Sequence, residues 1–142
     1  MTEETNAVAA IEKTMTFAAS PERVWEALTD PAELASWFPE SVEGFTPAPG
    51  GEGWLVWDNH GRYAIRMEAY EPRTRIVWRW ARESETPLED GPTTRVEWRL
   101  EPSETGGTLL HLHESGFLST EARGQNVMGW EHELGELTDY LR

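Results

Sequence analysis

TTRVEWRLEPSETGGTLLHLHESGFLSTEARGQNVMGWEHELGELTDYLR, residues 93 to 142, changes its hydrophobic period once, and that change decides the fold. Val96, Trp98 and Leu100 alternate with Arg95, Glu97 and Arg99. After a loop from Pro102 to Gly107, Leu110, Leu112 and Glu114 alternate with His111 and His113. A period of two puts each of these sets on a single sheet face. Past Gly116 the spacing becomes helical: Val127, Trp130, Leu134, Leu137 and Leu141 follow at intervals of 3, 4, 3 and 4. They make one apolar stripe on a continuous helix predicted over 119–141, with Ser119 or Thr120 as N-cap.

Upstream the chain is mostly strands. TRIVWRWA alternates Ile76, Trp78 and Trp80 with Arg75, Val77 and Arg79, and RYAIRMEAYE puts Tyr63, Ile65, Met67 and Ala69 opposite Arg62, Arg66, Glu68 and Tyr70. In GWLVWD, Trp54, Val56 and Asp58 share one phase and Leu55 and Trp57 the other, with Trp54 read as inward. The Pro- and Gly-rich segment 39–53 holds one short strand around 42–46. Near the N-terminus, IEKTMTF reads as a strand. Ser20-Pro21 and Asp30-Pro31 each read as an N-cap followed by a first-turn proline, opening two short helices end to end, with Glu33 placed as in a capping box. Residues 1–6 are expected to fray. Hairpin-length links imply an antiparallel sheet, so the predicted class is α+β: a curved sheet gripping a long C-terminal helix, in a single domain spanning 1–142.

Composition narrows the function classes. The chain of 142 residues carries 8 Trp, 3 Tyr and 4 Phe, which concentrates apolar area in few side chains and argues for a folded interior. With no Cys there is no disulfide framework, thiolate nucleophile or thiolate metal site. The balance of 26 acidic against 12 basic residues, a net charge of −14, disfavours nucleic acid and anionic membranes. With no long apolar run and no signal-peptide pattern, the expected location is cytoplasmic.

The inward indoles Trp54, Trp78, Trp80 and Trp98 are bulky for flat packing beneath a helix carrying Gly124, Gly129 and Gly135. Those glycines cost roughly 0.8 to 1 kcal/mol each relative to Ala, which suggests either close approach to the sheet or room for a bound molecule. A solid aromatic core is the plainer alternative.

The stretches IEKTMTFAASPERVWEALTDPAELASWF at 11–38, GRYAIRMEAYEPRTRIVWRW at 61–80, TLLHLHESGF at 108–117 and GWEHELGELTDYL at 129–141 carry a resemblance. They resemble the START-like or Bet v 1-like (SRPBCC) superfamily, in the branch named for the C-terminal domain of the activator of Hsp90 ATPase. The resemblance implies a helix-grip fold enclosing an apolar cavity, a shell that serves carriers, receptors, polyketide cyclases and co-chaperone domains alike. The full activators carry a separate N-terminal domain for which 142 residues leave no room, so Hsp90 is not expected as a partner.

Motif chemistry is sparse. His111-x-His113 has metal-ligand spacing on a strand, but its phase opposes Leu110 and Leu112 and turns the imidazoles outward. HELGE at 132–136 lacks the second His of the zinc-hydrolase pattern, and GGEG at 50–53 has no following Lys or helix, so neither a metal nor a cofactor is expected. The polar residues on the inward phase, Asp58, Tyr63, Thr94 and Glu114, are left. A carboxylate in an aromatic cavity would have its pKa raised and could move protons, so Glu114, Asp58 and Tyr63 are the candidate catalytic groups. The leading expectation is noncatalytic binding of a small apolar or aromatic molecule between sheet and helix, lined by Trp37, Phe38, Trp54, Tyr63, Trp78, Trp80, Trp98 and Met128. The alternatives are a cyclase- or hydrolase-like enzyme, and a protein-interaction module presenting Trp57 and Tyr70 from the outer sheet face. The same outer face, with Val77, is the expected contact of a possible homodimer.

Overall fold

A computed structural model describes residues 8–142, so the expected fraying of 1–6 lies outside the described residues. Strand β1 (Ile11–Phe17) leads into helices α1 (Pro21–Thr29) and α2 (Pro31–Trp37). Five strands follow, β2 (Ser41–Glu43), β3 (Glu52–Trp57), β4 (Gly61–Glu71), β5 (Arg75–Ala81) and β6 (Thr93–Pro102), then β7 (Thr108–Ser115) and helix α3 (Thr120–Tyr140). The strands form one antiparallel sheet in the order β1-β7-β6-β5-β4-β3-β2, so α1 and α2 connect strands at opposite edges.

The helix starts follow the predicted chemistry. Ser20, Asp30 and Ser119 accept from the backbone N–H of Arg23, Ala32 and Ala122, and prolines fill the first positions of α1 and α2. Glu33 does not complete a capping box; its carboxylate takes Arg23 of α1 and the Tyr140 hydroxyl, at 3.0 Å, and so ties both short helices to the end of α3. Along α3 the stripe is dry in its middle, with Trp130, Leu134 and Leu137 buried and Val127 and Leu141 half-buried.

Two phase assignments are corrected by the sheet. Leu55 faces Tyr63 across the β3–β4 pair and is fully buried, which puts Leu55 and Trp57 inward and Trp54 outward, beneath the Arg62 guanidinium at 4.7 Å. In β4 a bulge between Met67 and Ala69 inserts one residue, flips the alternation and turns Tyr70 inward onto Trp25 at 5.3 Å. The expected outward patch of Trp57 and Tyr70 is therefore not on the outer face, and Val77, the third member, is only 1% exposed.

That outer face is instead a lattice of opposite charges. Glu97 meets Arg75 at 2.5 Å, Arg99 at 3.3 Å and Arg95 at 3.8 Å, while Glu68 meets Arg79 and Arg66. Arginines engaged in this way offer no free basic stripe for a phosphate backbone. Among the described residues, no helix is long and apolar enough to cross a membrane.

Candidate functional site

Between sheet and α3 the aromatic rings pack against one another. Phe38, at the end of α2, stacks on Trp130 (5.4 Å between centroids, 10° between planes) and on Trp78 (5.9 Å, 19°), and meets Trp57 and Trp80 edge-on. Trp98 crosses Trp78, Trp37 and Trp130 in T-shaped contacts at 5.6, 6.3 and 5.5 Å. Such pairs add about 0.5 to 1.5 kcal/mol each beyond area burial. They occupy most of the expected cavity, leaving a recess of about 80 Å³ among Phe38, Trp57, Trp80, Gly129, Trp130 and Glu133.

The recess adjoins a much larger open cleft, of about 580 Å³, between α3 and the sheet. Trp57, Tyr63 and Trp80 form its aromatic wall, with Trp57 5.7 Å from Tyr63 and 6.2 Å from Trp80. Arg82, Asn126 and Glu133 supply its polar groups, and His60, Gln125 and His132 stand at the margin.

Beneath this cleft lies a polar network centred on the fully buried Glu114 and Thr94. The carboxylate of Glu114 accepts from the Thr94 hydroxyl at 2.6 Å, the Asn126 amide at 3.0 and 3.1 Å and the Trp130 indole at 2.7 Å. Arg82 donates to the Asn126 amide oxygen at 2.6 Å, lies 4.0 Å from Glu114 and stacks over the Trp80 ring at 4.9 Å. Burial lowers the pKa of the Arg82 guanidinium, with the Glu114 charge pulling the other way. Glu133 is the opposite case: burial, with repulsion from Glu136 adding to it, pushes its carboxyl up to about 7. Among the described residues Glu133 makes no hydrogen bond or ion pair.

The anticipated site residues separate into groups. Tyr63 and Trp80 line the cleft, and Phe38 lines the recess. Trp37, Trp78 and Trp98 belong to the packed core, Trp37 donating its indole N–H to the Ala27 carbonyl at 2.7 Å. Trp54 sits on the far side of the sheet, and Met128 is 73% exposed on the solvent side of α3. Asp58 is exposed in the β3–β4 turn, its backbone N–H bound by Glu40, and Glu114 is sealed below the cleft with no exposure. Trp57 was expected on the outer sheet face instead, and Arg82, Asn126 and Glu133 were not anticipated. Asn126 and Glu133 border the apolar stripe, Asn126 four residues before Trp130 and Glu133 three after it, a helical signal that polar groups would flank the indole.

His111 bonds Glu101 at 3.2 Å and lies 3.3 Å from Thr14 on the outer sheet face. Among the described residues no group of three His, Asp or Glu side chains is placed to hold a metal ion. The buried indole N–H groups of Trp78, Trp80 and Trp98 find no acceptor among the described residues. Each such donor costs about 1 to 3 kcal/mol, and that of Trp80 belongs to a side chain lining both cleft and recess.

Comparison with known proteins is consistent with this architecture. A family model described as activator of Hsp90 ATPase homolog 1-like protein matches residues 18–142. A search of curated proteins finds no match. Among solved structures, protein MLL2253 of Mesorhizobium loti is 27% identical with a TM-score of 0.81, covering 94% of this chain and 96% of its own. DynU16, a protein in the dynemicin biosynthetic locus, is 27% identical with a TM-score of 0.78, covering 93% of this chain but 46% of its own. The Aha1 dimer of Colwellia psychrerythraea, at 21% identity and a TM-score of 0.79, covers 94% and 96% and shares the fold.

Proposed function

The chain belongs to the activator of Hsp90 ATPase homolog 1-like family, and on that premise we propose that it binds a small aromatic or apolar molecule, without transforming it, in the cleft between α3 and strands β3–β5. The observation carrying this reading is the cleft itself, whose 580 Å³ lies within the range of about 300 to 1,000 Å³ usual for small-molecule sites. Its wall of Trp57, Tyr63 and Trp80 offers ring faces, and Arg82, Asn126 and Glu133 offer a few convergent polar groups to orient a ligand. The 27% identity to a protein in a biosynthetic locus suits a small-molecule partner.

A panel of fatty acids, flavonoids and aromatic polyketides should quench Trp fluorescence saturably, and mass spectrometry of gently purified protein should reveal any carried ligand. No saturable change across the panel and no carried molecule would leave an interaction module as the better reading. A proton-transfer enzyme is the second reading, favoured by Glu133, whose carboxyl near 7 suits general acid or base work at neutral pH. If turnover of a carried molecule is found, Glu133→Gln should cost it roughly 100-fold or more. Self-association, the remaining expectation, would have to use a surface other than the inward Trp57 and Tyr70, and sedimentation at several concentrations tests it.

A further inference from the structure

Resting on that reading, we propose that the cleft selects aromatic ligands bearing a positive charge, an ammonium or protonated amine held between the Glu133 carboxylate and the ring faces of Trp57 and Trp80. Two observations combine here. The first is charge: the Arg82 guanidinium is matched by Glu114 at 4.0 Å and by Asn126, whereas Glu133, half-buried in the same cleft, is matched by no cation among the described residues. The second is the wall, since Arg82 rests over the Trp80 ring at 4.9 Å, a cation–π contact already made within the site, and Trp57 presents a second indole 6.2 Å from Trp80. A partly desolvated carboxylate beside indole faces is an unfavourable arrangement by itself, and a bound cation relieves it. The raised proton affinity of Glu133 is the same cost expressed as pH dependence. The net charge of −14 adds a long-range field drawing cations to the protein.

Several groups bear on Glu133. Glu136 and His132 lie on its own helix, Glu40 follows α2, His60 sits in the β3–β4 turn, Tyr63 is on β4 and Arg82 at the end of β5. Acidification therefore removes the Glu133 charge, and that change opposes a cation.

The test uses three naphthalene probes matched in ring: a naphthylmethyl-trimethylammonium salt, whose charge does not titrate, the neutral naphthalenemethanol, and naphthoate. Affinity is read from Trp fluorescence with the wild type and with Glu133→Gln. At about pH 8.5 the ammonium probe should bind wild type roughly 10-fold more tightly than the alcohol, and this advantage should shrink near pH 5.5. Glu133→Gln should remove the advantage at the higher pH. Preference for the alcohol or naphthoate by wild type overturns the charge selection while keeping the cleft as an aromatic site. An ammonium advantage that survives in Glu133→Gln overturns the role of Glu133. Saturable binding by none of the three overturns the selection together with the proposed function. The wild-type comparison stands even if the variant folds poorly.

Discussion

The indole N–H of Trp130 donates to Glu114 over 2.7 Å, tying the middle of α3 to strand β7 at a carboxylate with no solvent exposure. The bond gives Glu114 a structural place. It holds Asn126 and Arg82 at the floor of the cleft without touching anything that enters from outside. Replacing Glu114 by Ala strands the Trp130, Asn126 and Thr94 donors and leaves the Arg82 charge unmatched, so it should destabilise the fold by about 3 to 5 kcal/mol in urea unfolding. A loss under about 1 kcal/mol would mean that the network is open to water.

The dry centre of α3 makes a second prediction. Leu134 is 5% exposed and packs in the main core, so Leu134→Ala should cost about 2 to 5 kcal/mol. Met128→Ala, six residues earlier on the solvent side, should stay within about 0.5 kcal/mol of wild type.

These contrasts show what the sequence made legible. The period-two runs of β6 and β7 placed Trp98, Leu112 and Glu114 correctly, because Val96, Trp98, Leu100, Leu110 and Leu112 mark one phase as apolar while Arg95, Glu97, Arg99, His111 and His113 hold the other, and Glu114 follows the phase of its leucines. β3 was ambiguous, since Trp54 and Val56 are as apolar as Leu55 and Trp57; only pairing of Leu55 with Tyr63 on β4 decides which side is inner. Tyr70 was reversed by the bulge at Glu68, which leaves no mark in a hydrophobicity pattern. The polar lining of the cleft was missed because Glu133 reads in HELGE as a failed metal motif, and because Arg82 follows the last strand residue of β5.

Stability should respond to pH through two carboxylates of opposite sign. Burial raises Glu133 to about 7, above its unfolded value, so between about pH 4.5 and 7 the native state holds more protons than the unfolded chain, and stability falls as pH rises. Glu133→Gln should recover on the order of 1 kcal/mol at pH 8, the full shift being reduced by solvent at a half-exposed site. Chemical denaturation of both proteins across this range checks the sign.

For Glu97, burial works toward a higher pKa. The Arg75 hydrogen bond and the charges of Arg99, Arg75 and Arg95 outweigh it and hold the carboxyl below the usual range. Its stabilisation is present above the unfolded pKa and is lost as pH falls through the folded one. Glu97→Gln should melt below wild type at neutral pH, and the two melting curves should converge on acidification.

The glycines of α3 allow stability to be separated from binding. Gly124, Gly129 and Gly135 each have nothing within 4 Å of where a Cβ would stand, and none has the positive φ that favours glycine, so close approach to the sheet does not account for them. Alanine at each should therefore stabilise by about 0.4 to 1 kcal/mol through helix propensity and a less flexible unfolded chain. Gly129 alone among the three borders the 80 Å³ recess, facing the space between Phe38, Trp57 and Trp80. A leucine there should enter that space and weaken an aromatic probe's binding while leaving thermal stability near wild type, whereas leucine at Gly124 or Gly135 should leave binding unchanged. Equal effects at all three positions would remove the recess from the binding site, and with it any ligand-related reason for glycine at position 129.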